Sequence, residues 1–159
     1  MCSSDLYVAE LLTDLTDLHD PHPRLFDAAR VTLRHLGEAD LRQQRIVRFE
    51  LACLRELGLM PTLLLCAVCG ASVERQTAAV SFGIAAGGVI CSACRPGQTH
   101  VTDLSVNDLE AIRVLASPGS AWRQLDARNG CLAAARETVG AVVSHVLGHR
   151  PRLRPLLGV

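Results

Sequence analysis

The chain is poor in several residue types, and each shortage excludes a class of function. It has 159 residues and no lysine, so all 16 basic residues are arginine and a nucleotide-binding P-loop, which needs a lysine, is excluded. Aromatic residues make up 3% of the chain, too few for the stacking platform of a single-strand binder. Sixteen acidic residues balance the arginines, which argues against a basic coat for nucleic acid.

Membrane and catalytic signals are also missing. No apolar run reaches the ~18 residues that a membrane-spanning helix needs, and the acidic N-terminal segment does not resemble a signal peptide. The sequence contains no Gly-x-Ser-x-Gly, His-Glu-x-x-His or Gly-x-Gly-x-x-Gly motif. We therefore expect no membrane contact and no catalytic residue. A thiol- or metal-dependent enzyme is the least favoured class.

Most of the chain shows helical periodicity. Hydrophobic residues make up 49% of the sequence, enough for a core, and they recur at helical spacing over residues 5–19, 24–36, 40–57 and 131–147. In the second of these helices, four residues are predicted to face the core: Phe26, Ala29, Leu33 and Leu36. Ser105 and Asp108 have the spacing of a capping box that opens another helix, to about residue 116, and residues 121–128 form a shorter helical piece.

The middle of the chain breaks this pattern. Short β-like runs at residues 80–82 and 88–90 flank an Ala-Gly-Gly turn signal, which predicts a hairpin. The predicted fold is therefore mainly α: a helical bundle with an inserted zinc ribbon that contains a short β-hairpin. The predicted parts are residues 5–61 and 98–148 for the two halves of the bundle, 62–97 for the ribbon and 149–159 for an irregular tail.

Four cysteines carry the strongest chemical signal. Cys66 and Cys69 form one Cys-x-x-Cys pair, Cys91 and Cys94 form a second, and 21 residues separate the pairs. Such pairs place two thiolates on one metal, and the hairpin can bring both pairs together into a tetrahedral site that suits one Zn²⁺. Four thiolates leave no coordination position for water, so the predicted role is structural.

Other interpretations of the cysteines are weaker. Core thiols or redox pairs are the alternative, but a thioredoxin-like site needs one such pair beside a βαβ unit, which is absent. A nucleobase deaminase is excluded because no His-x-Glu precedes the second pair. Cys53 and Cys131 lie on apolar helix faces and are expected in the core.

Two arginine groups are candidates for contact with a partner or with DNA. Arg42, Arg45 and Arg48 follow one flank of the third predicted helix. A second set alternates in the tail: Arg150, Arg152 and Arg154. A solvated helix face and an unstructured tail are the alternatives, and both stay open.

The order of these features resembles the C-terminal part of the bacterial RecO family. The residues that carry the resemblance are Phe-Glu-Leu at 49–51, Leu-Gly-Leu-Met-Pro at 57–61, the segment Leu-Cys-Ala-Val-Cys-Gly at 65–70, and Gly-Gly-Val-Ile-Cys at 87–91. The resemblance extends from residues 7–12 to residues 146–151.

This resemblance implies a mediator of DNA repair and homologous recombination that is not an enzyme. Such a protein is cytoplasmic and associated with the nucleoid. It contacts the acidic C-terminal tail of single-stranded-DNA-binding protein, pairs with RecR, helps to load RecA and supports strand annealing. Family members begin with an OB-fold, which nothing before Asp5 can supply, so DNA is expected to bind mainly through a barrel missing here. The alternative is a stand-alone zinc-ribbon interaction module of unrelated function.

Overall fold

The structure, a computed structural model, describes residues 3–17, 19–73, 79–125 and 130–157. These residues form five α-helices and one three-stranded sheet. In chain order the elements are α1 (Ser3–Leu15), α2 (Pro23–His35), α3 (Arg42–Glu56), β1 (Ala79–Gly83), β2 (Gly88–Ile90), β3 (Val101–Ser105), α4 (Val106–Ala116) and α5 (Gly130–Leu147). The predicted class, a mainly helical protein with a small β insert between helices, is confirmed.

Helix α3 lies at the centre of the bundle. It contacts α1, α2, α4 and α5, and it buries side chains on several of its faces. Phe49, Leu51 and Leu54 are all at most 1% exposed, and burying side chains of this size stabilises a fold by about 1.5–3 kcal/mol each. Because α3 is surrounded, the remaining helices are held in place through it.

Helix α4 begins at the predicted capping box. The Ser105 hydroxyl accepts the backbone N–H of Asp108 at 3.1 Å, and the Asp108 carboxylate accepts the backbone N–H of Ser105 at 2.9 Å. Two otherwise unpaired donors of the first turn are thereby satisfied. This start position is where the chain leaves the sheet and returns to the bundle.

Helix α2 differs from its prediction. Phe26 is 66% exposed and Leu33 is 42% exposed, so their predicted place in the core is wrong. The buried stripe instead contains Leu25, Ala29 and Leu36, of which only the last two were predicted. Two apolar stripes run along this helix, and packing against α3 selects the one that periodicity alone did not identify.

The sheet has the strand order β2-β1-β3 and is antiparallel throughout. The predicted hairpin is confirmed, with Gly83 opposite Gly88 and Ser81 opposite Ile90. Strand β3 was not predicted; it pairs with β1 along its whole length, from Ala79↔Ser105 to Gly83↔Val101. The predicted division into parts at residues 61, 97 and 148 stays a prediction.

Helix α1 contacts the C-terminal tail on one side of the bundle. The Glu10 carboxylate of α1 accepts the backbone N–H groups of Arg152 at 2.7 Å and Leu153 at 3.0 Å.

Two predicted helices are shorter in the structure. Helix α1 ends at Leu15, earlier than the predicted residue 19. The predicted helical piece at 121–128 contains a short 3₁₀ turn, Ala121–Gln124, and residues 126–129 lie outside the described residues. None of the described helices is both long and apolar enough to cross a membrane.

Candidate metal centre

Four cysteine sulfurs lie together at the end of the sheet. The Sγ atoms of Cys66, Cys69, Cys91 and Cys94 are all within 4.8 Å of one another, and those of Cys69 and Cys91 are 3.7 Å apart. A tetrahedral zinc with Zn–S bonds of about 2.3 Å would place its sulfurs ~3.8 Å apart, whereas a disulfide needs about 2.05 Å. The spacing therefore fits a metal ion and does not fit disulfides.

The first pair lies on a tight backbone turn. The Cys66 carbonyl accepts the N–H of Gly70 at 2.9 Å, and the N–H of Cys66 donates to the carbonyl of Ala71 at 2.7 Å. Gly70 has a φ of 74°, a left-handed conformation that glycine adopts without steric cost. The chain can thus reverse directly after Cys69 and aim both thiols at one point.

The second pair begins where β2 ends. Cys91 follows Ile90, and the carbonyl of Cys91 accepts the N–H of Cys94 at 3.0 Å, which forms the second turn. The two turns are joined because Ala67 donates its N–H to the carbonyl of Val89 at 2.8 Å. Short backbone hydrogen bonds therefore fix the relative position of the two pairs.

The thiols have different proton affinities. Burial pushes the pKa of Cys66 up, but hydrogen bonds from the backbone N–H groups of Cys91, Cys69 and Val68 outweigh it and lower the pKa to about 6. Side-chain hydrogen bonds with Cys69 and Cys91 raise the pKa of Cys94 to about 12. A pocket that favours a thiolate at Cys66 suits a cation.

These four residues could hold a metal ion. Among the residues that the structure describes, no other group of three or more histidine, cysteine or acidic side chains is close enough to do so. The set is thus the one that the sequence spacing predicted. Cys53 lies away from it, fully buried as predicted, and burial raises the pKa of its thiol to about 12.

The three candidate arginines of α3 make contacts within the chain. Arg42 donates to the carbonyl of Leu36 at 3.1 Å, and the mostly buried Arg45 pairs with Glu38. Arg48 donates to two carbonyls at the end of α4, those of Leu115 at 2.7 Å and Ser117 at 2.9 Å. Arg45 and Arg48 also lie over the ring of Trp122, with 5.3 and 5.0 Å from the guanidinium carbon to the ring centroid.

The tail arginines fall into two kinds. Arg150 and Arg152 are exposed, whereas the side chain of Arg154 is 8% exposed and lies against α5. The Arg154 guanidinium occupies the space that a Cβ at Gly140 would fill, and it donates to the carbonyl of Arg136. Partner contact by any of the six arginines stays a prediction.

A buried polar cluster, which the sequence did not predict, lies below this tail. The Tyr7 hydroxyl donates to Glu50 Oε1 at 2.5 Å, and Arg154 Nε lies 3.7 Å from the same oxygen. Glu50 is 0% exposed. The signal in the sequence was the acidic residue between the apolar residues Phe49 and Leu51, because a charge that is drawn into the core needs a partner.

A cavity of about 550 Å³ separates the sheet from the end of α5. Ile84 and Ala141 form part of its apolar wall, and three histidines line it: His100, His145 and His149. The imidazole of His149 is 3.9 Å from Asp14. The three histidines do not come close enough together to share one metal ion.

The chain is similar to known proteins over nearly all of its length. The family model "Recombination protein O C terminal" matches residues 2–155. DNA repair protein RecO of Rhodopirellula baltica is 41% identical over 114 residues, which cover 70% of this chain and 41% of the relative. The RecO of Anaeromyxobacter dehalogenans strain 2CP-C is 38% identical over 162 residues, which cover 96% of this chain and 62% of the relative. The chain thus spans between two fifths and about three fifths of these relatives.

Proposed function

Since the chain belongs to the RecO family through its C-terminal part, we propose that it acts in DNA repair and homologous recombination as a mediator. In this role it helps to load the recombinase onto single strands that are coated by single-stranded-DNA-binding protein, and it supports strand annealing. The observation that carries the proposal is the family match over residues 2–155, together with relatives that are named DNA repair proteins.

The metal of the four-cysteine site is proposed to be one structural Zn²⁺. Four thiolates in a tetrahedral arrangement suit zinc and fill its coordination sphere. Cys66, Cys69, Cys91 and Cys94 would hold it, and the ion would supply folding energy to a ribbon whose own core is small. The absence of an open ligand position supports a binding role over a hydrolytic one.

The proposed protein partners are the acidic tail of single-stranded-DNA-binding protein and RecR, with DNA as the nucleic-acid partner. An acidic tail would be recognised by cations next to apolar side chains. Arg150 and Arg152 are the exposed members of the predicted arginine set and are proposed as contacts. Arg42, Arg45, Arg48 and Arg154 are engaged within the chain, so a contact through them requires a partner that adds to those bonds.

A titration tests this proposal. A fluorescent peptide that copies the acidic C-terminal tail of single-stranded-DNA-binding protein is titrated with the chain at low and moderate salt, beside a labelled single-stranded oligonucleotide. Saturable peptide binding that weakens with salt is expected. If neither the peptide nor the oligonucleotide binds, and a parallel titration with RecR also shows no binding, the proposal is contradicted and an interaction module of unrelated function is favoured.

A further inference from the structure

We propose that the four-cysteine centre is an oxidation site, at which a peroxide converts Cys69 and Cys91 into a disulfide and the centre loses its metal ion. The inference rests on the zinc ion of the proposed function, and it adds a chemical reaction to a centre whose predicted role is structural. The four thiols differ in exposure, in spacing and in hydrogen bonding, and these differences select the two that react.

Cys69 is the thiol that a dissolved oxidant reaches most easily. Cys66 is 2% exposed, Cys91 and Cys94 are half-buried, and Cys69 is exposed. A metal keeps its cysteine ligands as thiolates, which is the form that an oxidant attacks, and susceptibility follows exposure. A small oxidant such as hydrogen peroxide is therefore expected to react first at Cys69.

A partner thiol for Cys69 lies across the centre. The Sγ atoms of Cys69 and Cys91 are 3.7 Å apart, and a disulfide needs about 2.05 Å. The two sulfurs must approach by about 1.7 Å, which is less than about 1 Å for each when both side chains rotate. The residue after Cys69 is Gly70, where an added Cβ would meet nothing within 4 Å, so the first turn has space to adjust.

The other cysteine of the first pair, Cys66, is held in place. Its sulfur accepts the backbone N–H of Cys91 at 3.3 Å and the N–H groups of Val68 and Cys69. A disulfide between Cys66 and Cys69 would draw the buried sulfur out of these hydrogen bonds and leave their donors without a partner. The bridge is therefore expected between the two pairs, whereas a thioredoxin-like site forms its disulfide within one pair.

The reaction balances in two steps. The Cys69 thiolate attacks one oxygen of hydrogen peroxide, the O–O bond breaks, and a sulfenic acid and a hydroxide ion form. The Cys91 thiolate then attacks the Cys69 sulfur, which forms the S–S bond and displaces a second hydroxide ion. The two thiolates lose two electrons and the peroxide gains them. The centre loses two negative charges, which match the two positive charges of the zinc ion that leaves.

The oxidised ribbon keeps a link between its two turns. Only the thiolates of Cys66 and Cys94 remain as ligands, too few for a site in which four ligands are the rule. The disulfide, however, joins the same two turns that the metal joined. The backbone hydrogen bonds from Ala67 to Val89 and from Val89 to Thr62 involve no sulfur. We therefore expect the ribbon to stay folded and to bind zinc again once a dithiol reduces the bridge.

Hydrogen peroxide added to the zinc-loaded full chain tests the proposal. Released zinc is measured with a chromogenic chelator, and the disulfide is located by tandem mass spectrometry of non-reduced peptides. We expect one zinc ion to be released per chain and a linkage between Cys69 and Cys91. Dithiothreitol followed by zinc should restore the metal. Circular dichroism should show the same helix content before and after oxidation.

Two histidine variants make a matched pair. Cys69→His keeps a ligand for zinc, as in sites of three cysteines and one histidine, but it removes the thiol that reacts first. Peroxide should then release zinc about tenfold more slowly than from wild type. Cys94→His makes the same exchange at a cysteine outside the proposed bridge, and its zinc should be released within about twofold of the wild-type rate.

Three results would overturn the proposal. The first is zinc release that is equally fast from Cys69→His and from wild type. The second is a disulfide within either Cys-x-x-Cys pair or between Cys69 and Cys94. The third is a wild-type chain that keeps its zinc and its four thiols in excess peroxide. If Cys69→His binds no zinc, the position of the disulfide in wild type and in Cys94→His decides.

The same experiment separates this inference from the proposed zinc ion. A chain that binds zinc tightly and resists peroxide has the zinc centre and lacks the oxidation site. A chain that binds no zinc but forms the disulfide between Cys69 and Cys91 in peroxide has the oxidation site, and the proposed zinc ion is then wrong. Both outcomes are independent of the titration with the acidic tail peptide, which tests the mediator function.

Discussion

A buried cluster of three ionisable side chains joins the C-terminal tail to helices α1 and α3. Tyr7 of α1, Glu50 of α3 and Arg154 of the tail meet in a space that excludes water at Glu50. Burial is the main reason that the pKa of Tyr7 and that of Glu50 are both raised. Tyr7 donates a hydrogen bond to the Glu50 carboxylate and Arg154 forms an ion pair with it, so removing either one leaves the buried carboxylate with fewer partners.

Tyr7→Phe should therefore destabilise the protein. The change removes only the hydroxyl that donates to Glu50, and a buried group that loses its hydrogen bond typically costs about 1–3 kcal/mol. Urea denaturation followed by circular dichroism measures the free energy of unfolding. Thr13→Ala on the same helix is the control, because that exposed hydroxyl bonds only within α1 and its loss should cost about 0.5 kcal/mol or less. Equal stability of Tyr7→Phe and wild type would show that Glu50 does not need this bond.

Glu50→Gln should change how stability depends on pH. Burial raises the pKa of Glu50 in the folded state above its ordinary value of 4.5, so the folded protein binds this proton more tightly than the unfolded chain. Its contribution to stability is then fully present below pH 4.5 and is lost as pH rises through the folded-state pKa. Glutamine does not titrate, so the stability of wild type relative to Glu50→Gln should fall as pH rises from 4.5. Urea denaturation across this range measures it, and a difference that stays constant or grows with pH would contradict it.

Short sequence motifs correctly predicted the features of individual elements that depend on neighbouring residues. The capping box at Ser105 and Asp108, the glycine turn of the β hairpin and the two cysteine pairs all lie where the sequence indicated, because each depends on residues only a few positions apart. Strand β3 could not be predicted in this way. Of its five residues only Leu104 is buried, and the strand exists because β1 pairs with it.

The misassigned face of α2 has the same origin. Phe26 and Leu33 have helical spacing, as do Leu25, Ala29 and Leu36, and periodicity cannot say which stripe another helix will cover. The contacts of Arg48 with the end of α4 and of Arg154 with Glu50 likewise join residues far apart in the sequence. Such contacts become visible only once the bundle is assembled.

Substitution of two neighbouring glycines, Gly87 and Gly88, tests the geometry of the hairpin. A Cβ at Gly88, whose φ is 150°, would lie 2.3 Å from the carbonyl oxygen of Thr62, which belongs to the backbone that leads to the first cysteine pair. A Cβ at Gly87 would meet open space, and only its φ of 77° opposes substitution. Gly88→Ala should therefore destabilise the ribbon more than Gly87→Ala, whose cost should be about 1 kcal/mol. Urea denaturation of both variants measures the order, and a larger effect at Gly87 would contradict this hairpin.

At the scale of the whole molecule, ribbon and bundle share one core. Val80, Phe82 and Val89 of the sheet belong to the same buried cluster as the central helix residues. Arg113 of α4 adds a polar link, because its guanidinium donates to the carbonyl of Leu63 at 3.1 and 2.7 Å, just before the first cysteine pair. A change at the metal centre should therefore be transmitted to the bundle.

We expect the four clustered cysteines to hold a single metal ion. Native mass spectrometry of the purified chain identifies the metal by its mass and counts the ions bound per chain. We predict one zinc ion per chain in the wild type and in Cys131→Ala, whose half-buried thiol lies outside the site, and none in Cys66→Ala. A wild-type chain that carries no zinc after purification and zinc addition, or a Cys66→Ala variant that retains one tightly bound zinc ion, would contradict a four-cysteine zinc site.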